Sequence, residues 1–337
     1  MKTHSHRPLR SLGTPALFAA ASVALAACGG GGDHSERSVS LSSKDDVLRE
    51  LGNLSAFVDF SGISTDSMTA AASAASTPKA RFVGSALKTL RLASANPGLS
   101  AKAVTVHDCD SGSYSEETLT GTYTFALFDS TPRTVSIYRE DNNHCVYDYE
   151  DGYRRIYDGH YESGGYTPDT GDHYSYLRFG TGSSVYRYRE EWSGDSDYPS
   201  TEELQGLLER RAGDSDAEVR ADDFRDHYTE PGYSADIILG DGELMKFLTA
   251  DTGLRADGSI YYSTSACRGG TLRYTTTTPI SVPQDGTAQG VLKMESGNES
   301  ATITLNADGS ATVQFAGGSS LTLSSDEVLA ALDESPC

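Results

Sequence analysis

Tyrosine is the side chain with the most unusual distribution in this sequence of 337 residues. Fourteen of its 19 tyrosines lie between Tyr114 and Tyr198. Some are spaced two apart, which places both rings on one face of a strand. These pairs are Tyr147/Tyr149, Tyr174/Tyr176 and Tyr186/Tyr188, with Arg187 inside the last pair. One interpretation is a binding surface for glycans or peptides, because tyrosine offers rigid amphipathic area with little entropy to lose. The alternative is a half-exposed ladder in which tyrosine only covers the sheet.

Four of the five cysteines form an even set, once Cys28 is assigned to the export signal described below. They are Cys109, Cys145, Cys267 and Cys337. An even number in an exported protein predicts two disulfides, and three pairings are open. We favour Cys109–Cys145 and Cys267–Cys337, because each pair brackets a self-contained run of strand signals.

Two histidines lie beside the first cysteine pair, so a Cys2His2 zinc site is an alternative to the disulfide. His107 precedes Cys109 by two residues, and His144 immediately precedes Cys145. Strand alternation argues against zinc, since His144 and Cys145 then point to opposite faces. The expectation is therefore a disulfide and no metal or other cofactor.

Clustered carboxylates occur in several loops, for example Asp148-x-Glu150-Asp151 and Asp195-x-Asp197. They could take Ca²⁺, but none follows the twelve-residue helix-loop-helix pattern, and solvated turns are the simpler interpretation. The motifs of common hydrolases, metalloproteases, phosphate-binding loops and haem attachment sites do not occur. The sequence therefore favours a protein that is not an enzyme, with a hydrolase whose site is scattered in sequence as an alternative.

The first 27 residues have the pattern of an export signal. Lys2, Arg7 and Arg10 begin it without any acidic residue, and an apolar run extends from Leu12 to Ala27. This run is shorter than the roughly 20 residues that a membrane-spanning helix needs. An ordinary secretory signal, cut near Ala24–Ala26, would look similar and would leave Cys28 incidental.

Leu25-Ala26-Ala27-Cys28 resembles the lipobox of bacterial lipoproteins. The resemblance implies cleavage before Cys28, attachment of fatty acyl chains such as palmitate to that residue, and stable anchoring in a membrane. Gly29 follows the cysteine, and the absence of Asp there favours the outer membrane in this family. Residues 28–42 are Gly- and Ser-rich and predict a flexible tether.

The net charge of the chain is −21. Removal of the three positive charges in residues 1–27 would make it −24. Such a protein repels phosphate backbones, so we expect no nucleic-acid partner.

Residues 43–100 predict a helical segment. A capping box at Ser43 and Asp46 begins it, and Gly52-Asn53 suggests a break. Two short helices are expected later, over Ser200–Leu208, where Ser200 to Glu203 resembles a capping box, and over Ser325–Leu332.

Alternation with a period of two predicts strands over most of the chain after Ala101. The fold class expected is mainly β, an antiparallel sheet arranged as a meander, sandwich or half-barrel. The organisation is a Tyr-rich β unit at 101–198, a short helix with acidic loops at 199–216, and a second antiparallel β unit at 217–337.

This plan resembles a loose group of uncharacterised proteobacterial envelope lipoproteins. The segments that carry the resemblance are Asp108–Gly112, Leu119–Thr122 and Cys267–Thr276 with Thr278-Pro279. It implies an extracytoplasmic β protein and no particular activity.

The leading hypothesis is a lipid-anchored envelope protein that binds a glycan, a peptide or another envelope protein through a tyrosine-rich β surface. The alternatives are a carrier or assembly factor that holds an apolar ligand in a curved sheet, and the hydrolase named above.

Overall fold

The computed structural model describes residues 38–60, 104–195, 197–281 and 288–333. The predicted signal peptide, Cys28, most of the tether, the predicted helices beyond residue 60, and Cys337 lie outside these residues. In the part of the chain that is described, no helix has the length and apolar character to cross a membrane.

The described chain forms one antiparallel sheet and two α-helices, so the prediction of a mainly antiparallel β protein is confirmed. The strands are β1 Thr105–Asp108, β2 Ser111–Thr124, β3 Pro132–Asp148, β4 Tyr153–Tyr166, β5 His173–Phe179, β6 Tyr186–Trp192, β7 Ser200–Ala212, β8 Asp216–Glu230, β9 Tyr233–Leu239, β10 Met245–Ala250, β11 Gly253–Thr264, β12 Gly270–Ser281, β13 Gln289–Ser296, β14 Glu299–Leu305, β15 Ala311–Phe315 and β16 Ser320–Leu323. The helices are α1 Lys44–Phe60 and α2 Ser325–Asp333, and a short 3₁₀ turn covers Glu150–Gly152.

The strands follow one another across the sheet, with two interruptions. Strands β5 and β6 lie end to end between β4 and β7, and strands β9 and β10 lie end to end between β8 and β11. The loop between β5 and β6 begins at Gly180, whose φ is +70°. A Cβ atom there would lie 2.0 Å from the carbonyl oxygen of Ser184, so this break requires glycine.

Helix α1 packs against one face of the sheet, which we call the helix face. Its capping box is formed as predicted: the Ser43 hydroxyl accepts from the Asp46 amide at 3.2 Å, and the Asp46 carboxylate accepts from the Ser43 amide at 3.1 Å. The expected break at Gly52-Asn53 is wrong. Both residues are buried and the helix continues through them, and the buried Asn53 side chain donates to Glu50 at 3.1 Å.

The last residues of the predicted tether belong to the folded body. Val39 and Leu41 are buried, and the Val39 amide donates to the Ser296 hydroxyl at 2.7 Å. Ser38 forms a parallel bridge with Thr271 at the start of β12. Alternate apolar residues in a short extended segment find room on the sheet, so the segment from Ser38 to Leu41 is not part of a free tether.

The helix expected over Ser200–Leu208 is wrong, because these residues form strand β7. Leu204 and Leu208 are both buried on the helix face. A spacing of four residues fits one side of a helix and one side of a strand equally well, and pairing with both neighbouring strand lines decides for the strand. One sheet therefore runs through the interval 199–216. The other short helix is present as α2, Ser325–Asp333.

Candidate functional site

The disulfide Cys109–Cys145 is present, with a Cα–Cα distance of 5.5 Å. It uses both thiols that the zinc alternative would need, so that alternative is wrong. Cys267 is also disulfide-bonded, and its partner lies outside the described residues. Within the described ranges, no group of three or more His, Cys, Asp or Glu residues is arranged to hold a metal ion.

The predicted tyrosine surface is divided between the two faces of the sheet. Tyr174 and Tyr176 on β5 lie on the face opposite the helices, where Tyr176 pairs across the sheet with Glu209. Tyr186 and Tyr188 on β6 lie on the helix face and are 3% and 5% exposed. These rings therefore do not form one exposed surface, which corrects the expectation from their spacing.

Burial of these tyrosines is stabilised by nearby carboxylates. The Tyr176 hydroxyl donates to Glu162 at 2.8 Å, and its ring stacks on Tyr123 with centroids 3.9 Å apart. The Tyr188 hydroxyl donates to Glu190. Since a buried hydroxyl that keeps a hydrogen-bond acceptor loses little on leaving water, tyrosine serves here as a core residue.

The remaining residues of the predicted surface have different environments. Tyr174 is half-buried beneath the Arg133 guanidinium, which lies 4.1 Å from its ring centroid. Tyr147 is half-buried and contacts Tyr157 edge to face at 6.1 Å. Arg187 is exposed and pairs with Glu203 on β7. Of the six tyrosines that were singled out, only Tyr149 belongs to the exposed class, at 47%.

Tyr149 is part of an aromatic cluster at one end of the sheet. It follows the last residue of β3, Tyr153 begins β4, Trp192 ends β6, and Tyr198 lies just before β7. Neighbouring antiparallel strands bring these positions to the same end of the sheet. We call these four residues the aromatic rim.

The rings of the aromatic rim contact one another in sequence. The centroid distances are 5.5 Å for Tyr149–Tyr153, 6.2 Å for Tyr153–Tyr198 and 6.1 Å for Trp192–Tyr198. The Trp192 indole N–H donates to the carbonyl oxygen of Asp151 at 3.3 Å. The ring also lies against Gly194, where a Cβ atom would be 3.1 Å from the indole. Trp192 is 38% exposed, so the rim combines rings fixed by their neighbours with aromatic area open to solvent.

A hydrogen-bonding group borders these rings. The Glu190 carboxylate accepts from the hydroxyls of Tyr153 and Tyr188. Arg155 donates to the Tyr153 hydroxyl at 2.8 Å and lies 3.4 Å from Glu190, with its guanidinium 5.3 Å from the Tyr153 ring centroid. Burial and the adjacent Glu190 raise the pKa of Tyr153, so its hydroxyl stays protonated.

Four histidines of the described chain each contact a carboxylate. The pairs are His107–Glu116, His144–Asp158, His160–Asp141 and His227–Asp236. In the ranges that the structure covers, none of these rings hydrogen-bonds to a serine, threonine or cysteine side chain. The arrangement of a nucleophile activated by histidine is therefore not formed by these pairs.

The pattern of tyrosine spacing identified only one residue of the aromatic rim. Tyr153, Trp192 and Tyr198 have no period-two partner that would single them out. Their position relative to the strands was a usable signal, because each of these three residues lies at a strand end or within two residues of one. The only tryptophan of the chain is among them.

Comparisons with protein-family models, with curated proteins and with solved structures find no match to this chain.

Proposed function

We propose that the protein is an exported, lipid-anchored binding module of the cell envelope that binds a glycan through its aromatic rim. The observation that carries this proposal is the position of Tyr149 and Trp192. They are exposed aromatic side chains of a single cluster, in a sheet whose other tyrosines are largely covered.

The chemistry of the aromatic rim suits a sugar. Sugar rings have one apolar C–H face, which stacks on exposed aromatic rings, and an edge of hydroxyl groups that requires hydrogen-bond partners. Glu190 and Arg155 offer a carboxylate and a guanidinium beside the rings, 3.4 Å apart. Rings held by their neighbours lose little entropy on binding, which favours a preformed platform.

The alternatives have less support. An apolar cavity between the two helices and the sheet, lined among others by Leu51, Leu292 and Val328, has a volume of about 20 Å³. That is roughly the room for one water molecule, far less than an acyl chain of a carried ligand requires. The hydrolase alternative lacks support from the four histidine–carboxylate pairs, because in the described ranges none of these rings hydrogen-bonds to a serine, threonine or cysteine side chain.

The length of the chain between Cys28 and Ser38 limits how far the folded body can stand from a lipid at Cys28. Ser38 joins the sheet at the start of β12, the same end at which β6 ends and β7 begins. The ten residue steps from Cys28 to Ser38 span at most about 35 Å when the chain is fully extended. A lipid at Cys28 would therefore hold the first described residue of the folded body within that distance of a membrane, and we propose that this is the outer membrane. The acidic chain also disfavours nucleic acid as a partner.

Calorimetric titration with a panel of envelope oligosaccharides tests the binding proposal. We expect Trp192→Ala and Tyr149→Ala each to weaken binding about tenfold, since an exposed stacking contact contributes about 1 kcal/mol or more. Tyr166→Ala is the matched control, because Tyr166 lies at the other end of β4 and should leave binding unchanged. Equal affinity for all four proteins would contradict the proposal, as would binding of peptides with no affinity for any glycan.

Metabolic labelling with a palmitate analogue tests the anchor. The full chain should carry the label and fractionate with membranes, and Cys28→Ser should lose both properties. Cys267→Ser is the control, because it removes a cysteine from the folded body. Label on the Cys28→Ser protein would overturn the assignment.

A further inference from the structure

Carboxylates surround the aromatic rim in excess over cations. The acidic residues within three sequence positions of a rim residue are Asp148, Glu150, Asp151, Glu190, Glu191, Asp195 and Asp197, and the basic residues are Arg154, Arg155 and Arg189. This end of the sheet therefore has a strongly negative local charge, in keeping with the acidic chain as a whole.

All three arginines are already engaged by carboxylates. Arg154 lies 2.6 Å from Asp148, and Arg189 lies 2.8 Å from Glu191. Arg155 pairs with Glu190 at 3.4 Å. No guanidinium of this group is left to bind an anionic ligand without first giving up its partner.

Several carboxylates beside the aromatic rim are not paired with an arginine. Glu150, Asp151, Asp195 and Asp197 form no ion pair with any residue in the described ranges. Asp195 and Glu190 lie close to the Tyr198 hydroxyl, and burial together with these charges raises the pKa of Tyr198. Asp195 also accepts the backbone amide of Asp197 at 3.0 Å, which fixes the turn beside Trp192. Unpaired negative charge is thus held next to the exposed indole.

We propose that the glycan bound at the aromatic rim carries protonated amines, as an oligomer of 2-amino-2-deoxyhexose with free amino groups does. This inference rests on the proposed function. The sugar ring would stack on Trp192, and its ammonium groups would pair with the carboxylates of Asp195 and Asp197. Charge complementarity excludes uronate- or phosphate-bearing glycans, since the same carboxylates repel them.

Emission of Trp192, the only tryptophan, reports binding directly. The full chain is titrated at low ionic strength with glucosamine, N-acetylglucosamine and galacturonate oligomers of equal length, and with oligolysine. We expect glucosamine oligomers to bind at least about fivefold more tightly than their N-acetylated counterparts, as one or two exposed ion pairs supply. This advantage should shrink as salt screens the charges.

Two double variants show whether the preference for free amines depends on the carboxylates beside the aromatic rim or only on the net charge of the protein. Asp195→Asn/Asp197→Asn should remove the preference for free amines. Asp169→Asn/Asp214→Asn removes the same charge from exposed turns at the other end of the sheet and should keep the preference.

The outcomes distinguish this inference from the proposed function. Equal affinity for glucosamine and N-acetylglucosamine oligomers overturns the inference and leaves glycan binding intact. Absence of binding by any oligosaccharide overturns both. Binding of oligolysine without binding of glucosamine overturns the inference in favour of a basic peptide ligand.

Discussion

The hydroxyl group of Tyr262 donates to the carboxylate of Glu50, 2.8 Å from Oε1 and 2.9 Å from Oε2. Glu50 lies on helix α1 and has no solvent exposure, and Tyr262 lies on strand β11. Arg49 and Asn53 donate to the same carboxylate from within the helix. This contact fixes the helix to the sheet through a buried carboxylate whose two oxygens both accept hydrogen bonds.

Replacing Tyr262 by Phe should lower the free energy of unfolding by about 1.5–3 kcal/mol, because a buried ionisable acceptor loses its donor. Chemical denaturation at neutral pH measures the effect. Tyr274→Phe is the control, since the Tyr274 hydroxyl is buried and has no hydrogen-bond partner among the described residues. That variant should be neutral or more stable, and equal losses for both would contradict the assigned role of Tyr262.

Asp226→Asn should stabilise the protein at neutral pH by roughly 1–3 kcal/mol, the size of a buried desolvation penalty, because the neutral amide takes up no proton on folding. Asp226 is buried, and one of its carboxylate oxygens has no hydrogen-bond partner in the part of the chain that the structure describes. Burial and the charges of Glu202 and Asp236 raise its pKa well above the ordinary value. The folded protein therefore retains a proton that the unfolded chain releases, and stability falls as the pH rises through this window.

Thermal unfolding at several pH values checks this linkage. The gain from Asp226→Asn should vanish below the unfolded-state pKa of about 3.9, where both states are protonated. Asp222→Asn is an exposed control on the same strand and should change stability little at any pH. A loss of stability from Asp226→Asn at neutral pH would show that Asp226 is ionised and paired.

Removal of the disulfide by Cys109→Ser/Cys145→Ser should lower the free energy of unfolding by about 2–4 kcal/mol, because the unfolded chain loses a constraint. Equilibrium denaturation measures the difference from the wild-type protein. A change of less than 0.5 kcal/mol, on the scale of an ordinary surface substitution, would contradict a structural role for this bridge.

Non-reducing peptide mapping identifies the partner of Cys267. We expect a Cys267–Cys337 peptide, which would link Cys337 to the β11–β12 turn. A link from Cys267 to Cys28 would overturn both this pairing and the lipid anchor.

Much of the sheet could be predicted from alternation. Strands β12, β14 and β15 have a clear period of two, and they lie in the part of the chain after Ala101 for which strands were predicted. Strand β8 gave no such signal, because buried Glu218 and Asp226 occupy positions where an apolar residue would be expected. Buried polar residues interrupt the alternation of apolar residues, so hydrophobic periodicity does not predict such a strand.

The candidate site could be predicted only in part, because the loop between β5 and β6 changes which side chains share a face. Tyr176 and Tyr186 are an even number of residues apart and would lie on one face of an unbroken strand. The turn at Gly180 reverses that relation, and the two rings lie on opposite faces. Periodicity within each strand was informative, but the geometry of a break is not encoded in spacing.

Titration of the full chain with an envelope oligosaccharide, followed by Trp192 emission with acrylamide as quencher, tests the central claim most directly. Trp192 should be quenched in the free protein, because it is 38% exposed. We expect a saturable blue shift of Trp192 emission and protection of Trp192 from acrylamide as the glycan binds. Calorimetric binding of the glycan with unchanged Trp192 emission and quenching would place the site elsewhere and contradict the assignment of the aromatic rim.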